Sequence, residues 1–209
     1  MVNFFNQNEN SFINNRIIMK LFLIPVLSLV SFLSWGQQGS CYLQQSKNIN
    51  LTTVDKNDLQ CIARNSDKPN TVFYTLASWC APCIKHLPDA LRLEKDYNTN
   101  VYVLLVESEE DNRLKNAVKI VENESMDAKM LVLKDSVYEG GVKKRNKAFI
   151  NDITPAQFEI IPDFSKFIVI NDKGEVVMVT NWKDYKKLDK KNVENVQQML
   201  SHTVVPLIQ

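Results

Sequence analysis

The sequence has few cysteines and no excess of charge of either sign. Its 209 residues include 4 cysteines, too few for a fold built on disulfides, although an even number suits an oxidising compartment. Lysine plus arginine number 25 and aspartate plus glutamate 24, so nothing indicates a nucleic-acid or polyanion partner. Beyond the N-terminus there is no internal repeat or low-complexity tract. These absences favour an ordinary globular domain, and the chain is long enough to give it a full core.

The N-terminus has the pattern of a signal peptide. Arg16 and Lys20 precede an apolar run at residues 21–33, and small residues stand at the third and first positions before a possible cleavage after Gly36. A basic segment, a short apolar segment and small residues before a cleavage site are typical of secretory signals. We therefore expect export to the periplasm or cell envelope, with residues 1–36 forming an N-terminal extension and signal peptide.

A membrane anchor is the alternative for the same segment. Residues 17–35 are nearly long enough to span a bilayer if Lys20 reaches the interface. In that case they would tether the protein to the membrane. Residues 37–48 are polar and predict a linker, so the folded domain is expected at residues 49–209.

One motif combines two thiols with a strand and a helix. Residues 79–83 read Trp-Cys-Ala-Pro-Cys, between an apolar run at 71–78 and a helical pattern at 81–97. Because a helix N-terminus stabilises a thiolate, we expect Cys80 to be the attacking cysteine. Cys83 lies one turn further on, close enough to form a disulfide with Cys80 and expel a substrate thiol. The spacing predicts a redox-active dithiol.

Other roles for these two cysteines fit the sequence less well. A purely structural disulfide leaves Trp79, Pro82 and the position between strand and helix unexplained. A zinc site needs a second Cys/His pair with ligand spacing, which the sequence lacks. Covalent haem attachment needs a histidine where Ile84 stands. We therefore expect no metal and no cofactor.

The remaining chain alternates strand and helix patterns, which favours a parallel core. Strands are predicted at residues 50–54, 71–77, 101–106, 129–133, 166–170 and 175–180. Helices are predicted at residues 55–64, 81–97, 111–122, 142–153 and 184–202. The last two strands flank a turn with Gly174, which indicates an antiparallel hairpin.

Two groups of charged residues have no predicted role in a site. The acidic residues at 107–111 are interpreted as a solvated loop that helps to start the next helix. The lysine-rich stretches at 143–147 and 183–191 are interpreted as solvated faces.

The order of these elements resembles the thioredoxin fold over most of the chain. Within that fold, Trp-Cys-Ala-Pro-Cys followed by Lys85 and Pro88 resembles the exported thiol-disulfide oxidoreductases of the TlpA/ResA-like family. The resemblance implies an α/β fold with a central mixed sheet, flanking helices and the CxxC motif at the start of a helix. Cytoplasmic thioredoxins carry a buried aspartate where this chain has Tyr74.

The resemblance also implies the activity and its partners. Such a protein exchanges disulfides with protein thiol and disulfide substrates, and a membrane or periplasmic thiol electron donor re-reduces it. Peroxide reduction would require a threonine at Ala77, so the spacing argues against it. A thioredoxin-like client-binding module or chaperone with secondary redox activity is the alternative function.

The family's substrate groove can be placed on this sequence. Trp79 is expected to cap the disulfide, and Pro82 lies inside the motif. Relatives have a cis-proline beside the disulfide, and Pro162 after Ile161 is the candidate if a small insertion separates it from the hairpin. Counting back without a gap gives Ser165, and the site then lacks this proline. We expect the insertion.

His86 and the two other cysteines leave alternatives open. His86 follows Cys83 by one helical turn, at a position where relatives often carry glutamate. It is predicted to relay the proton that Cys83 loses, and an ordinary core or surface histidine is the alternative. Cys41 and Cys61 either form a second disulfide or remain thiols, since connectivity cannot be deduced from sequence.

Overall fold

The computed structural model describes residues 40–188 and 195–209, and the predicted signal peptide lies outside them. The strands are β1 (Gln44–Gln45), β2 (Thr52–Val54), β3 (Asn70–Leu76), β4 (Thr99–Leu105), β5 (Lys129–Leu133), β6 (Phe167–Asn171) and β7 (Val176–Val179). The helices are α1 (Lys56–Arg64), α2 (Ala81–Asp96), α3 (Asn112–Glu124), α4 (Val142–Ile153), α5 (Trp182–Leu188), α6 (Val196–Thr203) and α7 (Val205–Ile208).

These strands form one mixed sheet in the order β1-β2-β5-β4-β3-β6-β7. The strands β2, β5, β4 and β3 run parallel to one another, whereas β6 and β7 form the antiparallel hairpin that the sequence predicted. Helices follow the parallel strands, as right-handed crossovers require. The chain has a thioredoxin-like α/β fold, and this prediction is confirmed.

Strand β3 lies in the centre of the sheet and carries the motif to its edge. It pairs with β4 in parallel and with β6 in antiparallel orientation, and Thr71 through Leu76 are buried on both faces. A strand covered on both sides needs a continuous apolar run, which is the pattern at this position. Because β3 and β4 are parallel, the segments after Leu76 and after Leu105 meet at one edge.

The folded part begins earlier than residue 49. Cys41 and Cys61 form a disulfide, with their Cα atoms 5.9 Å apart, and β1 pairs with β2 inside the predicted linker. The sequence analysis could not decide whether Cys41 and Cys61 are bonded, because the polar composition of residues 37–48 indicates neither this disulfide nor the short strand β1.

The C-terminal helix pattern is divided in the structure. Helices α5 and α6 lie within or next to the predicted range 184–202, and residues 189–194 lie outside the described part. Nowhere in residues 40–188 and 195–209 is a helix long and apolar enough to cross a membrane.

Candidate active site at the Cys80–Cys83 disulfide

The two cysteines of the motif are joined at the start of α2. Their Cα atoms are 5.2 Å apart, and the sulfurs form a disulfide. Cys80 is the N-cap residue, and Pro82 stands in the first helical turn, where its missing N–H has no partner to lose. The Cys83 N–H donates to Cys80 Sγ at 3.3 Å. The helix therefore directs one of its unpaired N–H groups at the first sulfur.

The two sulfurs differ in access. Cys80 is 6% exposed and borders a cavity, whereas Cys83 is completely buried. After reduction, the Cys80 sulfur keeps the N–H of Cys83 and the positive end of the helix dipole, both of which favour a thiolate. Cys80 is therefore the more accessible of the two cysteines, and Cys83 is shielded by the protein.

A buried hydrogen-bonded chain joins Cys83 to His86. The Tyr74 hydroxyl donates to the Cys83 carbonyl oxygen at 2.8 Å and lies 2.8 Å from Ser165 Oγ. His86 Nδ1 lies 3.0 Å from the same Ser165 oxygen. Burial raises the pKa of Tyr74, so its phenol stays neutral. Tyr74 stands where cytoplasmic thioredoxins carry a buried aspartate. It forms hydrogen bonds to Cys83 and Ser165 but does not ionise.

A cavity of about 460 Å³ opens beside the disulfide. Its walls combine the motif with aromatic rings and polar groups from two later segments: Cys80, Ala81, Pro82, Lys85, His86, Asp163, Phe164, Ser165, Trp182 and Tyr185. The His86 ring stacks on Tyr185 with 5.6 Å between centroids. Trp79 is 45% exposed and meets Phe164 edge to face at 5.0 Å.

A buried ion pair holds the far wall of this cavity. Lys166 is 1% exposed, pairs with Asp163 and donates to the Thr180 carbonyl at 2.8 Å. Burial lowers the pKa of Lys166, and Asp163 opposes that shift. The Trp182 N–H donates to Asp163 Oδ2 at 2.8 Å. The pair thereby connects the segment before β6 to the start of α5.

The prediction that Pro162 is a cis-proline beside the disulfide is wrong. Every peptide bond of the described residues is trans, and neither Ile161 nor Pro162 is among the residues that line the cavity. Pro162 is exposed, and its carbonyl accepts a hydrogen bond from Asn146. Ser165 lies beside the disulfide instead, with a positive φ of 64°. The count without a gap was therefore the correct one.

Two charged residues that were interpreted as solvated are buried. Glu107 is completely buried, and its Oε1 accepts from the Ser78 N–H at 2.5 Å. Arg145 is 1% exposed and donates to backbone carbonyls at the ends of the parallel strands, among them Leu133 at 2.7 Å. Burial lowers the pKa of Arg145, and Asp135 opposes that shift. Asp111, by contrast, caps α3 as predicted.

Sequence signals for these missed residues are weak but present. Glu107 directly follows the buried apolar run that ends at Val106, so it is still covered by the protein and does not belong to the solvated loop. The aromatic residues of the cavity come from segments distant in sequence, and only the fold brings them together. Ser165 was reached by counting, but the preference for a proline outweighed that count.

Comparisons with known proteins find matches of low similarity among solved structures. No protein-family model matches the chain, and no curated protein matches it. Among solved structures, the thioredoxin domain of a thiol-disulfide oxidoreductase from Bacteroides vulgatus has 16% identity and a TM-score of 0.43, over 71% of this chain and 90% of that chain. StoA from Bacillus subtilis has 12% identity and a TM-score of 0.39, over 68% and 88% of the chains. A secreted disulfide oxidoreductase of Mycobacterium tuberculosis has 15% identity and a TM-score of 0.35, over 54% and 69%.

Proposed function

We propose that this chain is an exported thiol-disulfide oxidoreductase that reduces disulfides of other proteins. The observation that carries the proposal is the Cys80–Cys83 disulfide at the start of α2, with Cys80 at the cavity and Cys83 buried. A structural disulfide has no need of an accessible sulfur at a helix N-terminus, whereas an attacking thiolate needs both features.

The reaction proceeds in two exchanges. In the dithiol form, the Cys80 thiolate attacks one sulfur of the substrate disulfide. A Cys80–substrate bond forms, and the other substrate sulfur leaves as a thiolate that takes a proton. Cys83 then loses its proton, attacks Cys80 Sγ and releases the second substrate thiol. Two electrons pass to the substrate, and the enzyme is left with the Cys80–Cys83 disulfide.

His86 is the proposed proton acceptor for the second exchange. It lies one turn after Cys83 on α2, is buried, and borders the cavity. Its contact with Ser165 holds the ring in place. An imidazole titrates closer to neutral pH than any other unperturbed side chain, so it is suited to take a proton from a thiol and return it.

Substrate contact is assigned to the residues around the disulfide. The exposed ring of Trp79 packs edge to face on Phe164, and Phe164 lines the cavity together with Pro82, Trp182 and Tyr185. Aromatic faces can bind polypeptide segments with little loss of conformational entropy. The same cavity favours the second candidate, a client-binding module in which redox chemistry is secondary.

Export and a reducing direction complete the proposal. The pattern at residues 1–36 and the Cys41–Cys61 disulfide both suit an oxidising compartment. In such a compartment a reductase must be recharged, and we assign that role to a membrane or periplasmic thiol donor. The direction follows the resemblance of residues 79–88 to exported reductases.

A turnover assay tests the function. The full chain is mixed with a protein disulfide and dithiothreitol, and Cys80→Ser is compared with the unchanged protein. We expect the variant to lose turnover, because the attacking sulfur is gone. Full activity in Cys80→Ser would rule out the enzyme, and client binding by the same inactive variant would then favour the binding module.

The matched control replaces the other disulfide. The double variant Cys41→Ser/Cys61→Ser removes one disulfide, as Cys80→Ser does, and leaves the motif intact. It should turn over substrate at the rate of the unchanged protein under conditions where both are folded. A loss of activity equal to that of Cys80→Ser would mean that the assay reports folding rather than the reactive dithiol.

A further inference from the structure

A buried carboxyl lies directly behind the turn that carries Cys80. Glu107 follows β4 and is completely buried. Its Oε1 accepts a hydrogen bond from the Ser78 N–H at 2.5 Å. Its Oε2 has no hydrogen-bond partner among the residues that the structure describes. Only one of the two carboxyl oxygens therefore takes part in a hydrogen bond within the described residues.

The charged groups nearest to Glu107 are already paired with other residues. From α4, Arg145 Nη2 reaches the Glu107 backbone carbonyl at 3.4 Å, but Arg145 forms its ion pair with Asp135 at 2.7 Å. From α3, Arg113 pairs with Asp111 at 2.6 Å. Within residues 40–188 and 195–209, no ion pair reaches the Glu107 carboxylate.

The carboxyl is also close to the attacking sulfur along the chain. Ser78 precedes Cys80 by two residues, which span at most about 7 Å of chain. The turn between them is compact, since the Cys80 N–H donates to the Ala77 carbonyl at 3.0 Å. The hydrogen bond to Ser78 and two residues of chain thus connect the Glu107 carboxyl to Cys80.

We propose that Glu107 is a positioning residue for the nucleophile: it holds the turn through the Ser78 N–H, and its charge state sets how readily Cys80 becomes a thiolate. The proposal rests on the proposed function in taking Cys80 as the attacking sulfur. An ionised Glu107 opposes a second negative charge nearby, and a protonated Glu107 does not. Glu107 therefore makes the attack dependent on pH.

The environment of Glu107 shifts its pKa toward the pH range in which Cys80 ionises. Burial raises the pKa of Glu107, and hydrogen bonds from Ser78 offset part of that shift. Its ionisation therefore moves toward the range in which a cysteine at a helix N-terminus ionises. Two acids that titrate close together influence each other, so the Cys80 titration in the unchanged protein spreads over a wider pH range than that of a lone thiol.

Alkylation of the reduced full chain tests this assignment. The protein is reduced with dithiothreitol, freed of reductant and treated with iodoacetamide across a pH series, and alkylation of Cys80 is followed by peptide mass spectrometry. Glu107→Gln keeps an oxygen that can accept from Ser78 and removes the charge. We expect the midpoint of Cys80 alkylation to fall by about one pH unit and the curve to narrow to a single titration.

A matched variant separates this effect from general loop charge. Glu110→Gln removes an exposed carboxylate from the same loop, and its curve should coincide with that of the unchanged protein. Coinciding curves for Glu107→Gln and the unchanged protein would overturn the proposal, as would an equal shift in Glu110→Gln.

A second measurement needs no variant. Because the coupling is reciprocal, the Glu107 carboxyl should titrate at higher pH in the dithiol form than in the disulfide form. Its carbon-13 chemical shift in the unchanged protein reports both midpoints, and equal midpoints would contradict the proposal. The alkylation experiment requires no turnover, so the two proposals can fail separately. Unchanged alkylation curves together with normal turnover would reject the role of Glu107 alone. An absence of turnover together with the expected alkylation curves would reject the proposed function alone.

Discussion

His86 Nδ1 lies 3.0 Å from Ser165 Oγ, and the hydrogen bonds beyond this contact fix which atom donates. The Tyr74 hydroxyl donates to the Cys83 carbonyl, which can only accept. The Tyr74 oxygen must therefore accept from the Ser165 hydroxyl, and Ser165 must accept from His86. The neutral imidazole carries its proton on Nδ1, so Nε2 is the atom that takes up a second proton.

Replacing His86 by alanine should slow the resolution step and remove its pH dependence near neutrality. If Nε2 accepts the Cys83 proton, we expect a loss of about 100-fold in the rate of resolution. The measurement starts from a mixed disulfide between Cys80 and a chromogenic aryl thiol, and follows release of the thiol as Cys83 attacks.

The chain supplies its own control for this prediction. His202 is exposed on α6, and His202→Ala should leave both the rate and the pH profile unchanged. A profile for His86→Ala that still bends at the pH of the unchanged protein would reduce His86 to a packing residue beside Tyr185.

Ser165 combines two hydrogen bonds with a left-handed backbone, and two substitutions separate these features. Ser165→Ala removes the buried hydrogen bonds of Ser165 Oγ with Tyr74 and His86, and should lower the free energy of unfolding by about 2 kcal/mol. Ser165→Gly loses the same bonds but accepts the φ of 64° without strain. The glycine variant should therefore exceed the alanine variant in stability by about 1 kcal/mol, measured by urea unfolding. An alanine variant as stable as the glycine variant would contradict this.

Most elements of the fold were predictable because they follow from local pattern. The continuous apolar run of β3 and the thiols at the start of α2 each depend on neighbours in sequence, and both were placed correctly. The residues around the disulfide depend on strand order instead. Glu107 is buried because parallel β3 and β4 end at one edge, and Ser165 reaches His86 because β6 pairs with β3. No local pattern contains either contact.

The disulfide between Cys41 and Cys61 should contribute stability without contributing to catalysis. It closes a loop with a sequence separation of 20, for which loss of the crosslink is expected to lower the free energy of unfolding by about 3 kcal/mol. Cys61 precedes β3 and Cys80 follows it, so the two disulfides lie on either side of this strand in the sequence. Urea unfolding of Cys41→Ser/Cys61→Ser measures the loss, and an unchanged midpoint would show that the bridge does not constrain the unfolded chain.

The direction of electron flow should be readable from the equilibrium of the Cys80–Cys83 pair. A reductase requires a potential closer to the value of about −270 mV typical of thioredoxin than to the value of about −120 mV of a strong oxidant. Equilibration with dithiothreitol or glutathione, followed by mass spectrometry of the motif peptide, gives the value. A potential near that of strong oxidants would reverse the direction proposed here.

The burial of Glu107 should appear in the pH dependence of stability, and the sign can be worked out. Burial raises the pKa of this carboxyl above the ordinary value of 4.5, so the folded protein binds more protons than the unfolded chain above that pH. The contribution of the protonated Glu107 carboxyl to the free energy of unfolding is present in full below pH 4.5, the ordinary pKa. It is lost as pH rises through the raised pKa of the folded protein. Over this interval the stability should fall with a slope of up to about 1.4 kcal/mol per pH unit. Glu107→Gln cannot ionise and should lack that slope, whereas Glu110→Gln should keep it. Urea midpoints from pH 4.5 upward measure the difference, and parallel curves for all three proteins would show that Glu107 keeps the same affinity for its proton in the folded and unfolded chain.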